Sequence, residues 1–268
     1  MTTLMPIATL SRRRFALTAR TPRELVVPLL TPVLFAIVIA PALKEALGGL
    51  RGGGVDYEAF VALATVGLLL PLNTMFSGIG VIIDRDNGAR RELLAAPIPR
   101  SLMVFGNLAV AVAVTALQLA ALFVAAVLRG VDFQPSPSGI AWFVTAAGLF
   151  TIGMYGVAET LANRVARQEE YIAAVPAIAI VPWFFAGSLF PISALPAPLT
   201  AFAKILPLTH ALALIRYGLL DHNGSGLHDI WGMSNPTTMA ALSLAVVAAF
   251  AVAFTAVAIR VFTRTAVT

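Results

Sequence analysis

Cysteine is absent from this 268-residue chain, which excludes a disulfide framework and any thiolate metal site. Charge is scarce: Asp, Glu, Lys and Arg make up 12% of the residues, against about 25% in an ordinary soluble domain. Signatures of familiar catalytic machinery are missing as well. No Gly-rich loop ending in Gly-Lys-Ser or Gly-Lys-Thr occurs, so the chain has no phosphate cradle of the usual kind. There is no His-Glu-x-x-His pair and no Gly-x-Ser-x-Gly elbow. The three histidines, His210, His222 and His228, fall in one late segment, and His222 and His228 beside Asp221 and Asp229 match no zinc spacing. No catalytic residues, no metal and no cofactor bound by this chain are expected. Transport or gating fits this inventory better than catalysis.

What the chain has is apolar length. Hydrophobic residues reach 59% and mean hydropathy is +0.89. Six long apolar runs stand out, at 25–43, 60–83, 102–128, 140–158, 171–190 and 237–259. About 20 residues at 1.5 Å each cross the hydrocarbon core, so each run is long enough for a helical span. Barrel strands are shorter and alternate in polarity. In lipid the backbone must bond to itself, which selects helices here. The expected fold is an all-α integral membrane protein with six transmembrane helices. The arginines before the first run resemble those of a signal peptide, but that run is too long and proline-rich and lacks a cleavage site, so it reads as a retained span.

An even number of spans puts both termini on one side, and the cations decide which. Five arginines precede the first run, four lie between runs two and three, and Arg164, Arg167, Arg260 and Arg264 share that side. The other side holds Lys44, Arg51, Arg129, Lys204 and Arg216. The arginine-rich side is expected to be cytoplasmic and the location a cell membrane. The net charge of +5 is then a topology signal, with no compact basic domain for nucleic acid.

Residues 1–24 form one expected unit, a cytoplasmic amphipathic helix lying in the interface. Leu4, Ile7, Leu10, Phe15 and Leu17 share one arc, Arg12, Arg13, Arg20 and Arg23 the opposite face, and Arg14 the apolar edge. Residues 25–268 form the second unit, the six-span transmembrane domain. Pro28, Pro32 and Pro41 should kink its first span. The Gly-rich loop at 44–58 follows. Asn73 and Gln118 are lone polar groups that should pair between helices. Glu159 lies about one turn inside the arginine-rich boundary, where Arg164 or a neighbouring helix end is the expected partner; a role in proton coupling is the sharper alternative. Segment 191–236 is too polar and proline-punctuated to cross. Its stretches "APLTAFAKI" and "THALALIRYGLL" read as short external helices dipping into the outer leaflet.

Uphill transport needs energy, and the spans lack the midplane ionisable groups of an ion-coupled transporter. A separate ATPase would require a docking element, and segment 84–101, "DRDNGARRELLAAPIPRS", fits one. Gly88 breaks the span, "ARRELLAA" is helix-forming, and Pro97 and Pro99 stop it. An ordinary positively charged connecting loop is the plain alternative.

At these residues the chain resembles the membrane permease subunit of type-2 ATP-binding-cassette exporters, close to the daunorubicin-resistance-like transport permeases. Asp84, Arg85, Asp86, Gly88, Leu93, Leu94 and Pro97 match that pattern after the second span, with Ala89, Arg91 and Glu92 departing from it. A second stretch, "WFFAGSLFPISALPAPLTAFAKILPLTHALALIRYGLL", matches at Gly187, Phe190, Pro191, Leu195, Pro196, Pro207, Leu208, Thr209 and Arg216. The resemblance implies a coupling helix between spans two and three, re-entrant helices between spans five and six, and a second permease copy. It also implies a cytoplasmic ATPase that binds the ATP and magnesium. Asp86, Gly88, Arg90, Arg91, Glu92, Leu93, Leu94 and Pro97 are the expected coupling residues. Asn73, Met75, Phe76, Trp183, Phe184 and Phe185 are candidates for the path of an amphiphilic substrate moving outward. A proton-coupled transporter using Glu159, or a channel-type subunit, are the alternatives. Membrane lipids are the remaining expected partners.

Overall fold

A computed structural model describes residues 4–19, 33–39, 41–42, 45, 57–95 and 99–265. Most of the expected first span, the loop at 44–58, Arg20, Arg23 and Pro97 lie outside these residues. Among the described residues every regular element is helical. In chain order the α-helices are α1 Leu4–Ala19, α2 Tyr57–Ser77, α3 Ile79–Asp86, α4 Ala89–Ala95, α5 Arg100–Leu128 and α6 Pro137–Ala162. They continue as α7 Gln168–Phe185, α8 Ala197–Ala203, α9 Pro207–Leu219, α10 Ser225–Trp231 and α11 Pro236–Thr265. A π-helical turn at Phe35–Ile39 packs against α2 and α5.

Among the described residues, four helical stretches are long and apolar enough to cross a membrane: Glu58–Asp86, Arg100–Leu128, Pro137–Ala162 and Pro236–Arg264. These correspond to the expected second, third, fourth and sixth runs. The fifth run begins as helix at Gln168 and ends at Phe185, earlier than the expected 190. Gln168, Glu169 and Glu170 occupy its first turn, which dilutes its apolar window. Its end is set by Gly187 at φ +76°, a left-handed turn where glycine pays no steric penalty, with the Ser188 hydroxyl donating back to the Trp183 carbonyl at 2.7 Å. The short helices α8 and α9 occupy the two stretches expected between spans five and six, and their axes bend by 77°.

Helix α6 is the hub. It packs against α2, α9 and most extensively α11, and also touches α3 and α5. Its start is capped by the Ser136 hydroxyl, which accepts the Gly139 N–H at 3.0 Å, with Pro137 preset for the first turn. Small residues set the closeness of its neighbours: a Cβ at Gly139 would collide with the Gly218 carbonyl of α9, and one at Gly156 would lie 2.5 Å from the Phe254 carbonyl carbon of α11. Helix α2 is deeply enclosed, with Ala59, Val61, Leu63, Ala64, Val66 and Leu70 wholly inaccessible.

The second run is broken where its sequence allows it. At Gly78, between α2 and α3, the Tyr171 hydroxyl of α7 donates to the Met75 carbonyl at 2.6 Å and takes the space a Cβ would need. A side chain inserted into the helical ladder is a recognised cause of such breaks.

Helix α1 packs across the start of α5. Leu10 abuts Gly106, and the Ser11 hydroxyl donates to the Gly106 carbonyl at 3.2 Å. Arg13, expected on the face opposite the apolar arc, reaches the edge of α3. Its guanidinium lies 3.6 Å from the Asp84 carboxylate, which is only 13% accessible and draws a cation to that edge of the helix.

Candidate functional site

The arginines of segment 84–101 do different jobs. Arg85 clasps the frayed end of α6, donating to the carbonyls of Ala162 at 3.3 Å, Val165 at 2.8 Å and Ala166 at 2.9 Å. The Ala162 carbonyl ends α6 and the other two lie just past it, where a cation also meets the negative end of the helix dipole. Its Nε additionally contacts Asp86 at 3.0 Å. Arg100 closes α11 in the same manner, donating to the Thr263 carbonyl at 3.1 Å. Together with the Arg13–Asp84 pair, these contacts gather α1, α3, α5, α6 and α11 at one end of the bundle.

Helix α4 sits at that end, and its coupling candidates divide by direction. Asp86, Arg91 and Glu92 are exposed. Leu93 and Leu94 instead pack inward, into a cluster that includes Met103, Val104, Leu108, Tyr155 and Phe262. Arg90 also turns inward, with its guanidinium carbon 4.8 Å from the centre of the Phe262 ring. Burial lowers the Arg90 pKa from its ordinary value; the nearby Glu159 charge opposes that effect and the Arg85 charge adds to it. The leucine pair, named among the expected coupling residues, is half-buried against this internal cluster. Gly88 holds φ +77° at the turn before α4. A side chain there would meet nothing, so the requirement is conformational and not spatial.

Glu159 is entirely inaccessible. Arg164, one of its expected partners, is exposed. The carboxylate is instead served by its own helix: Tyr155 donates to Oε2 at 2.7 Å and the Asn163 amide to Oε1 at 3.0 Å. Spacings of four residues on either side place both on its face of the helix. That Tyr-x3-Glu-x3-Asn pattern is a signal the sequence carries and that charge counting passes over.

The six path candidates do not converge. Met75 is wholly buried, and Trp183 is buried with its indole N–H donating to the Ala64 carbonyl at 2.8 Å. Both are framework residues joining α7 to α2. Phe76 and Phe184 face outward, at 42% and 54% exposure. Phe185 meets Phe202 of α8 edge to face, with centroids 5.7 Å apart. The Asn73 amide nitrogen is buried without a hydrogen-bond partner among the described residues, as is the Gln118 carbonyl oxygen. An open groove of about 330 Å³ lies elsewhere, between α6 and α11, lined by Leu149, Ile152, Val252, Thr255 and Ile259 among others.

The second sequence stretch closes on itself at the opposite end. Arg216 of α9 donates to the carbonyls of Gly187 and Ser188, both at 2.6 Å, and stacks 3.6 Å over the Phe60 ring of α2. One guanidinium thus fastens the turn after α7, the bent α8–α9 pair and the start of α2. His222 contacts the Gln134 carbonyl at 2.9 Å, and Asp221 accepts the Ser225 N–H and hydroxyl. Among the described residues no group of three or more His, Asp or Glu could hold a metal ion.

Comparison with known proteins agrees with this arrangement. Residues 6–220 match the family described as ABC-2 type transporter. Nodulation protein J of Rhizobium leguminosarum bv. trifolii is 27% identical over 198 residues, covering 71% of this chain and 72% of that protein. Nodulation protein J of Sinorhizobium fredii (strain NBRC 101917 / NGR234) is 26% identical over 180 residues, 66% of this chain and 67% of that protein. The ycf38 protein of Porphyra purpurea, whose name describes a transport permease, is 23% identical over 215 residues, 80% of this chain and 74% of that protein. The chain belongs to the ABC-2 type transporter family, as a multi-pass membrane permease of an ATP-binding-cassette system whose ATPase is a separate component.

Proposed function

We propose that this permease is the membrane half of an ATP-driven exporter that moves an amphiphilic compound, a drug, lipid or glycolipid, out across the cell membrane. Two permease copies, identical or homologous, work with two cytoplasmic ATPase copies that hold the ATP and magnesium. The arginine-rich end faces the cytoplasm with both termini, in keeping with the cation distribution. The observation that carries this reading is the division of α4: Arg91 and Glu92 are exposed, next to the exposed Asp86 that ends α3, while Arg90, Leu93 and Leu94 fix the helix to the bundle. A docking element needs both faces. Gly88 sets its angle, and Pro97 belongs to the same segment by the family pattern. For the substrate path, the unmet Asn73 amide and the outward Phe76 and Phe184 support a route along the α2–α7 face. Apolar walls with isolated polar groups suit an amphiphile.

The test is co-expression of the full chain with each separate ATP-binding-cassette ATPase subunit encoded in the same genome. Co-purification and a permease-dependent change in ATP turnover are expected. Reversing the exposed charges, Arg91→Glu with Glu92→Lys, should abolish co-purification while the permease still elutes as the parent does. An ATPase that binds the reversed chain equally well refutes the docking face. Proteoliposomes loaded with a panel of fluorescent amphiphiles test export; ATP-independent movement would remove that part of the reading.

A further inference from the structure

A carboxylate with no solvent access is unfavourable in a membrane protein unless it is both hydrogen-bonded and paired with charge. Tyr155 and Asn163 supply the hydrogen bonds to Glu159, yet both come from α6 itself, and a neutral Gln could satisfy much of the same geometry. What the charge adds is attraction to a cation on another element. Geometry brings one near: the Tyr155 ring, whose hydroxyl bonds Glu159, shares a cluster with Phe262 of α11, and the Arg90 guanidinium of α4 is stacked on that Phe262 ring. Tyr155 serves twice, since its ring belongs to the cluster that receives Leu93 and Leu94. Beyond this point α6 and α11 approach closely, with Gly153 and Gly156 set against Phe250, Phe254 and Thr255.

We infer that Glu159 is a positioning residue that locks α4 to α6 and α11 through Arg90, so that a push on α4 moves the three helices as one body. The inference rests on the docking role proposed above for its consequence, but its contact can be tested apart from it. A fixed internal anchor also accounts for a buried charge that no proton path needs to reach.

The natural absence of cysteine makes the test direct. Nitroxides attached at Ala95→Cys and Arg164→Cys, both exposed sites, report the distance between α4 and the end of α6 by pulsed electron resonance, with the full chain in lipid nanodiscs. The parent should give one narrow distance. Glu159→Gln and Arg90→Met should each add a second population on the order of a tenth of the molecules. The double variant should add no more than either single one, because both remove the same contact. Tyr155→Phe keeps the ring in place and removes one hydrogen bond; it should give a smaller version of the same split, and it decides the matter should Glu159→Gln fail to fold. A parent-like distance in Glu159→Gln, or in Tyr155→Phe where that variant decides, overturns the inference, as do simply additive effects. With the ATPase present, the parent distance should be the same without nucleotide and after vanadate trapping; a change there would show that α4 moves independently. Failure of any ATPase to bind would count against the docking face, and the nanodisc measurement would still decide the anchor.

Discussion

Replacing Gly156 with alanine should separate two opposed effects on one helix. A Cβ at Gly156 would stand 2.5 Å from the Phe254 carbonyl carbon, 2.6 Å from its oxygen and 2.8 Å from the Thr255 nitrogen. Carbon atoms ordinarily rest about 3.5–4.0 Å apart, so α11 must retreat by roughly 1 Å. All three atoms are backbone, and no rotamer change relieves them. Overpacking of this kind costs about 1–3 kcal/mol. Alanine also gains up to about 1 kcal/mol over glycine in a helix interior, which partly offsets the clash. Gly148 on the same helix supplies the control, since a Cβ there meets nothing within 4 Å. Both exchanges carry the same intrinsic gain, so the difference between them isolates the clash at about 1–3 kcal/mol. Equilibrium unfolding in mixed micelles, followed by tryptophan fluorescence, measures it. Gly148→Ala should be as stable as the parent or more so, and Gly156→Ala less stable. Equal unfolding free energies for the two would refute the close approach of α6 and α11.

Three further outcomes follow from the geometry. Arg85→Met removes donors from three carbonyls and should destabilise by about 1–2 kcal/mol, discounted for partial exposure, with faster amide exchange at 163–167. Trp183→Phe leaves the Ala64 carbonyl without its 2.8 Å donor in a buried site and should cost about 1–3 kcal/mol in the same unfolding assay, whereas Phe184→Ala, at an exposed site, should cost far less. Gly88→Ala imposes φ +77° on a residue with a Cβ and should cost about 1–2 kcal/mol; an open site makes the penalty purely conformational, so Gly88→Asn should recover part of it.

Span boundaries were legible where a run was long and its ends were marked. The expected 102–128 became Arg100–Leu128, and 140–158 lengthened to Pro137–Ala162 because Ser136 and Pro137 start the helix earlier. The bent pair after α7 also fell on its two expected segments. Directions within a helix were harder to read. Arg90 and Arg91 are adjacent and chemically identical, yet one faces Phe262 and the other is exposed. That difference depends on where α5 and α11 end, which no local pattern encodes. Adjacent aromatics divide for the same reason: Trp183 and Phe184 are neighbours, but a 100° step turns one into the interior and the other outward. The partners of Glu159 were present in the spacing of Tyr155 and Asn163, hidden by attention to opposite charge alone.

The interruption at Gly78 has a mechanical side. Helix α3 is eight residues long, a rod of about 12 Å, joined to α2 through Gly78, where the Tyr171 hydroxyl bonds the Met75 carbonyl and makes a natural pivot. A turn of 10° or so about that pivot would sweep its far end through roughly 2 Å, comparable to the small helix shifts that propagate switching in other assemblies. Because α2 packs along α6 above Gly78 while Arg85 ties α3 to the end of α6 below it, a bend of that end against the rest of α6 would move the lower arm more than the upper one. One interrupted span thereby serves as both a stationary post and a short crank.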